Sequence, residues 1–262
     1  MKRWRYVLLV LCTAVISISG TYLMTYFMRS EENKQKYEDI SEIGFPETEA
    51  DHEEENDQQD VKQSEDDFDY QSLIAMNSDC VGWIQIPGTD INYPVVQAAD
   101  NEFYLTHNFN RETAACGAIF MDYRNDVDAK AEHLILYGHQ MKDNSMFKQL
   151  NGYKEEIFYK EHPNIKLYLH EQKYEYEITA VYVTDVANGG GYYNYLHWNT
   201  RKEQLNYLQQ KMAGYQLYDT GKKVMETDEL LSLSTCEYSC DNGRLIVQAR
   251  RKGKTVDGKQ II

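Results

Sequence analysis

A run of 23 residues without a charge, residues 6–28, limits what this chain can fold into. It exceeds the roughly 20 residues that an apolar helix needs to cross a bilayer. A cleaved signal peptide is the alternative, but its apolar core would be about 7 to 15 residues long, and no clear small-x-small cleavage site follows. We therefore predict a cytoplasmic N-terminus and membrane anchor over residues 1–29. Basic residues precede the run and acidic residues follow it, which places the N-terminus in the cytoplasm and the rest of the chain outside the cell.

Most of the formal net charge of −15 falls in the segment that follows, because residues 31–69 contain 17 Asp and Glu and only three Lys. Such a segment cannot bury enough apolar surface to offset the entropy of ordering it. We predict an acidic, disordered stalk over residues 30–67. A calcium-binding loop is the alternative, but the alternating Asp/Asn pattern with a central Gly is missing. The remainder is only mildly acidic, which argues against a nucleic-acid partner.

Residues 68–262 carry the pattern of a single folded domain built mainly from short strands. Turn signals such as Pro87-Gly88 separate the strands, which favours a closed or nearly closed barrel. We expect eight strands, at residues 81–86, 91–96, 118–121, 134–137, 165–169, 174–184, 230–235 and 244–250. Apolar spacing predicts helices near residues 68–76, after residue 144, and from Thr200 to Met212 with Gly214 as a stop.

Reactive residues are expected at the ends of three of these strands. One strand ends at Cys236, a turn of Asp-Asn-Gly follows, and the next strand begins at Arg244. If the two strands are neighbours, the thiol and the guanidinium face each other, and a nearby cation makes a thiol more reactive. His139 follows another strand end and is the strongest catalytic candidate among seven histidines. The five cysteines show no Cys-x2-Cys spacing, so we predict no metal site and no cofactor.

Three groups of motifs resemble class B sortases, the cysteine transpeptidases that attach proteins to the Gram-positive cell wall. Leu-Ser-Thr-Cys at residues 233–236, followed by Arg244, is similar to their active-site signature. Residues 136–147 are similar to their histidine segment, and residues 82–89 with 93–97 to their opening strands. The resemblance covers roughly residues 69–251 and implies a mainly β, eight-stranded sortase-type barrel with a few helices.

The resemblance also implies roles for individual residues. Cys236 would be the nucleophile, His139 would transfer protons, and Arg244 would stabilise the oxyanion. Tyr137 and Ser234 would line the substrate groove, and the backbone amide of Glu237 would assist Arg244. Cys240 is the competing nucleophile, and a disulfide between it and Cys236 stays open.

The implied function is a membrane-anchored, extracellular thiol transpeptidase. It would cleave the C-terminal sorting signal of a surface protein after Thr, through a thioester, and transfer that protein to an amine of peptidoglycan or lipid II. A pilus-polymerising enzyme that uses a pilin Lys as acceptor and a related cysteine hydrolase are the enzyme alternatives. An anchored binding protein is the non-enzyme alternative, and it predicts that Cys236→Ala changes nothing.

Overall fold

The computed structural model describes residues 2–46, 68–127, 132–185, 200–210, 212–237, 242–253, 255–256 and 259–260. These residues fall into two compact units, Met1–Asp39 and Ile40–Ile262. Helix α1, Lys2–Gly44, makes up the first unit and begins the second. It is long and apolar enough to cross a membrane, and none of its apolar window is buried in protein.

The second unit begins earlier than the predicted domain start at residue 68. Helix α1 runs on to Gly44, so residues 30–44 are helical where the sequence predicts an unstructured stalk. The reason lies in a few apolar side chains within the acidic segment. Ile40 is buried, and the ring of Phe45 contacts the rings of Trp83 and Tyr168 at centroid distances of 5.5 and 5.3 Å. The rest of the predicted stalk, residues 47–67, lies outside the described residues.

All eight predicted strands are present and close into a barrel, which confirms the predicted fold class. Their bounds are β1 Cys80–Gln85, β2 Asn92–Val96, β3 Ile119–Met121, β4 His133–Tyr137, β5 Asn164–Leu169, β6 Gln172–Asp185, β7 Leu230–Glu237 and β8 Gly243–Arg251. A small separate pair, β9 Thr255–Val256 and β10 Lys259–Gln260, follows.

Around the barrel the strands lie in the order β1-β2-β3-β4-β7-β8-β6-β5. The pairs β2/β3 and β4/β7 are parallel, and the other pairs that the structure describes are antiparallel. Because β4 and β7 are parallel, their C-terminal ends lie at the same edge of the sheet. This pairing brings together two strand ends that are about 100 residues apart in sequence.

Three further α-helices are described: α2 Tyr70–Met76, which precedes β1, and α3 Glu156–Glu161 and α4 Arg201–Gln210, which lie between strands. The side chain of Asp69 caps α2, and the hydroxyl of Thr200 accepts a bond from the amide of Glu203 at the start of α4, as the capping pattern predicts. The helix expected after residue 144 is a 3₁₀ helix, Phe147–Lys154, and no side chain caps it.

Helix α4 packs on the outer surface of the barrel, over β4, β7, β8 and β6. Its Leu205 and Leu208 are buried against residues of all four strands, including Ile135 and Ile246. Since side chains alternate between the two faces of a strand, this contact identifies which residues of β4 and β7 point outward. Tyr137 packs against the same cluster and so belongs to the same outer face.

Candidate active site

Strand register places the predicted catalytic residues side by side. Tyr137 of β4 pairs with Ser234 of β7 in the parallel ladder. His139 and Cys236 each lie two residues further along, so both lie at the same edge of the sheet, just beyond the last strand pair. Cys236 in turn pairs with Arg244 of β8. The histidine, cysteine and arginine therefore form a row across one edge of the sheet.

The side chains of Cys236 and Arg244 share the outer face of the sheet. Cys236 lies two residues beyond Ser234 and six beyond Leu230, which packs under α4, so its side chain points to the outer face. His139, Cys236 and Arg244 are each partly exposed, and Cys236 carries a free thiol. A partly exposed thiol between an imidazole and a guanidinium is suited to nucleophilic catalysis.

The ring of His139 is held by backbone groups of a distant loop. Its Nε2 lies 2.7 Å from the carbonyl oxygen of Leu105. A carbonyl only accepts hydrogen bonds, so Nε2 carries the proton in this contact and Nδ1 is left for exchange with the thiol.

Gly117 makes this approach possible. Its φ is +58°, and a Cβ there would lie 2.4 Å from the carbonyl oxygen of Tyr104 and 3.1 Å from Cδ2 of His139. Both the left-handed backbone conformation and the lack of space favour glycine at this position. The loop therefore fits closely against the imidazole.

Gly138 joins the histidine segment to the cysteine strand. Its amide donates to the carbonyl of Ser234 at 3.2 Å, and its own carbonyl accepts a bond from the hydroxyl of Thr235 at 2.8 Å. A Cβ at Gly138 would lie 2.4 Å from Ile119 and 2.7 Å from Phe147, both of which are buried. These contacts hold the backbone on either side of His139 close to the end of β7.

Tyr137, predicted to line the substrate groove, has its hydroxyl turned to the protein. The hydroxyl donates to the buried carboxylate of Asp122 at 2.8 Å, and Arg124 donates to both oxygens of the same carboxylate. Burial alone raises the pKa of Asp122, but the hydrogen bonds from Arg124 and Tyr137 outweigh it and hold that pKa below its usual value. The ring of Tyr137, rather than its hydroxyl, is the part available to a substrate.

The two other predicted substrate residues lie on β7. Ser234 is on the outer face beside Tyr137, but it is only 2% exposed. Glu237 ends the strand and pairs with Gly243. The carbonyl of Ser234 bonds to Gly138 of the β4 segment, and backbone groups alternate along a strand, so the amide of Glu237 is directed towards β8.

The remaining cysteines are placed unlike Cys236. Cys80 and Cys116 are buried, and burial raises the pKa of the Cys80 thiol to about 12, which keeps it protonated and unreactive. Cys240 lies outside the described residues, as does any bond that it forms. Among the described residues, no group of three or more His, Cys, Asp or Glu side chains could hold a metal ion.

Sequence reasoning missed the residues that support the row. Leu105 acts through its backbone carbonyl, which leaves no side-chain signal in the sequence, and the need for glycine at position 117 follows only from contacts in the folded chain. Gln140 follows His139 directly, and its Nε2 donates to the carbonyl of Cys236 at 2.9 Å. Its position beside the histidine was the one signal that could have identified it.

Comparison with known proteins gives consistent results. The Sortase domain model matches residues 84–252. The chain is 38% identical over 180 residues to Sortase B of Listeria monocytogenes, covering 68% of this chain and 72% of that protein. It is 30% identical over 261 residues to Sortase B of Staphylococcus aureus, covering 95% and 97%. The crystal structure of sortase B from B. anthracis superimposes with a TM-score of 0.70 at 34% identity, over 86% of this chain and 98% of that one.

Proposed function

The chain belongs to the sortase family and is a class B sortase, a cysteine transpeptidase, and on that premise we propose that Cys236, His139 and Arg244 are its catalytic residues. One observation carries this proposal. The β7/β8 ladder pairs Cys236 with Arg244, His139 lies two residues beyond the last β4/β7 pair at the same edge, and all three residues are partly exposed.

In the first half-reaction Nδ1 of His139 takes the thiol proton of Cys236, and the thiolate attacks the carbonyl carbon of the Thr in a sorting signal. The carbonyl π bond becomes an oxyanion, which the guanidinium of Arg244 stabilises. The C–N bond then breaks, and His139 gives its Nδ1 proton to the departing amine. A thioester between Cys236 and the sorted protein remains.

In the second half-reaction an acceptor amine attacks the thioester carbonyl. His139 takes a proton from that amine, the C–S bond breaks, and the sulfur of Cys236 leaves as a thiolate. His139 therefore donates a proton to the leaving amine in the first half-reaction and accepts one from the incoming amine in the second. Nothing in this sequence of steps requires a metal or an organic cofactor.

Glu237 has a conditional part in oxyanion stabilisation. Its backbone amide is directed towards Gly243 in the strand pair, so it reaches the oxyanion only if that last pair separates when substrate binds. Arg244 is the second residue of β8, next to that pair, and its Nη1 donates to the carbonyl of Gly243 at 2.9 Å. We assign the larger share of the stabilisation to Arg244.

Sortases act on surface proteins with sorting signals and on amine acceptors of the cell wall. We propose the peptidoglycan or lipid II amine as acceptor here, with a pilin Lys as the alternative. Helix α1 is the candidate membrane span. An N-terminus in the cytoplasm would put the barrel outside the cell, next to substrates that are themselves held at the membrane.

The test is intact-protein mass spectrometry of the full chain mixed with a panel of Leu-Pro, Asn-Pro and Ser-Pro sorting peptides. We expect an acyl adduct on the wild type with one peptide class and none on Cys236→Ala. Adding the peptidoglycan amine, and in a separate reaction a pilin Lys peptide, should then turn adduct into ligated product. An adduct on Cys236→Ala would refute the assignment of the nucleophile, and hydrolysis unaffected by either amine would indicate a hydrolase.

A further inference from the structure

A side chain, rather than a backbone amide, makes the hydrogen bond that joins the end of β7 to the histidine segment. The last backbone bond between the two segments is the amide of Gly138 to the carbonyl of Ser234. Two residues further along β7, the carbonyl of Cys236 points towards the same side. It accepts its bond from Nε2 of Gln140 at 2.9 Å. Gln140 thus adds one rung to the β4/β7 ladder after the main chain of β4 has left it.

Lys148 determines which way the amide of Gln140 points. Its Nζ lies 3.2 Å from Oε1 of Gln140, and an ammonium group only donates hydrogen bonds. The oxygen of the amide must therefore face Lys148, which leaves the nitrogen to face the carbonyl of Cys236. The charge on Lys148 also polarises the amide and strengthens its bond to that carbonyl.

The segment that carries Gln140 is itself firmly anchored. Gln140 pairs with Met146, and the amide of Phe147 donates to the carbonyl of His139 at 2.9 Å. Met146 and Phe147 are buried, and the amide of Met146 is bound by the hydroxyl of Tyr93 at 3.0 Å. Gln140 therefore reaches Cys236 from a fixed base.

We propose that Gln140 is a positioning residue that sets the distance between the thiol of Cys236 and the imidazole of His139. Gln140 follows His139 in the chain and binds the carbonyl of Cys236, so a single side chain links the backbones of both reacting residues. It contacts no reacting atom. The inference rests on the proposed role of Cys236 as nucleophile, because only then does its position relative to His139 affect a rate.

The central variant is Gln140→Met, which keeps the length and approximate volume of the side chain and removes the donor. Gln140→Glu keeps an acceptor for Lys148 but places a carboxylate against the carbonyl of Cys236. Since a misplacement of about 1 Å can cost on the order of 100-fold in rate, we expect kcat to fall about 10-fold or more in both variants. We expect KM for the sorting peptide to change by less than about 2-fold, because the groove is untouched.

Two controls separate positioning from general stability. Gln149 lies on the same 3₁₀ helix as Lys148 and bonds to Asp90, outside the row, so Gln149→Met should leave kcat as in the wild type. Lys148→Met leaves the donor on Gln140 but no longer orients it, and a loss of about 3-fold or less is expected. The melting temperature of each variant shows whether lost activity follows lost folding.

A second measurement reports on the thiol without any sorting peptide. Iodoacetamide alkylates the thiolate directly, with iodide as the leaving group, and peptide mapping assigns the label to Cys236. If Gln140 sets the distance to His139, the pH profile of this alkylation shifts in Gln140→Met and not in Gln149→Met. A residue that only stabilises the fold would leave the profile of the folded protein unchanged.

The outcomes are distinct. A lower kcat with unchanged KM and a shifted alkylation profile in both Gln140 variants would support the proposal. Wild-type kcat and a wild-type profile in Gln140→Met would overturn it, as would activity lost only in proportion to unfolded protein. If the wild type forms no adduct with any peptide, the proposed function fails by itself, and the alkylation profile alone then decides the role of Gln140.

Discussion

A buried histidine under helix α4 should make the barrel less stable in mild acid. His133 is 2% exposed at the start of β4, where its Nε2 lies 2.8 Å from the hydroxyl of Ser232 and its Nδ1 lies 3.4 Å from Gln204. Burial, followed by the nearby positive charge of Arg201, lowers the pKa of His133 to about 3. A protonated ring at this site would place a buried positive charge near the guanidinium of Arg201.

The size and sign of the effect follow from linkage. The folded pKa is about 3, and an unfolded histidine has a pKa of about 6.5. A depressed folded pKa contributes stability above the unfolded pKa, and that stability is lost as pH falls from about 6.5 towards 3. The unfolded histidine takes up its proton below its pKa of about 6.5, so the stability changes mainly between about pH 6.5 and 5.0, an interval of about 1.5 pH units. The free energy of unfolding should therefore fall by about 2 kcal/mol between pH 7.5 and 5.0.

The range from pH 7.5 to 5.0 distinguishes the effect of His133 on stability from the effects of the carboxylates of Asp122 and Glu177. Burial raises the pKa of Asp122 and of Glu177, but their hydrogen-bonded cations outweigh it, so both folded values lie below the ordinary ones. A lowered carboxylate pKa contributes stability that is lost only as pH falls below the unfolded value of about 4. Neither group therefore accounts for a change between pH 7.5 and 5.0.

The assay is urea unfolding of the full chain in detergent at several pH values, followed by tryptophan fluorescence. We expect His133→Gln to be less stable than the wild type at pH 7.5, and the gap to shrink by about 2 kcal/mol at pH 5.0. His170→Gln, between β5 and β6, is the control for replacing a histidine by glutamine at a site away from α4. A gap between wild type and His133→Gln that stays constant with pH would refute the argument.

Three further predictions test other parts of the structure. Gly117→Ala should lower the rate of acylation about 10-fold or more, because the new methyl group would contact the backbone of Tyr104 and the ring of His139. Mass spectrometry of samples quenched at successive times measures this rate. Unchanged acylation would argue against the close fit of this loop. Tyr137→Phe removes the bond to Asp122 and should cost about 1 to 3 kcal/mol of stability in urea unfolding, with kcat within about 3-fold of the wild type. A large loss of kcat would instead assign the hydroxyl a part in the reaction. Phe45→Ala should destabilise the barrel by about 3 kcal/mol, again by urea unfolding, because its ring packs among aromatic side chains. If the free energy of unfolding is unchanged, the folded domain begins nearer to residue 68, as the sequence predicts.

Local sequence pattern was sufficient for the elements of this fold. Short runs separated by turn signals predicted the eight strands, and the turn before Arg244 predicted the β7/β8 pair. Only a short connection separates β7 from β8. The register that pairs Cys236 with Arg244 therefore depends on residues that are close in sequence. The long uncharged run likewise predicted helix α1, because the length of an apolar segment is itself a local property.

Helix α1 also shows where the pattern failed. Composition predicted a disordered segment from residue 30, since net charge is averaged over a window. The helix continues to Gly44 because Ile40 is buried in the barrel unit and the ring of Phe45 packs against Trp83. A few contacts with residues distant in sequence were enough to order a segment whose average composition favours disorder.

The assembly of the site was decided by the tertiary structure. No local feature indicates that β4 and β7 lie side by side in parallel, yet this pairing brings Tyr137 and Ser234, two residues before His139 and Cys236, to the same edge of the sheet. The same holds for the contacts that support the row, in which the carbonyl of Leu105 binds His139 and the side chain of Gln140 binds the carbonyl of Cys236. The sequence by itself determined which residues could react and where each strand ends. Their distances and orientations were decided only by the folded chain, because each depends on hydrogen bonds and packing between segments that are 34 to 97 residues apart.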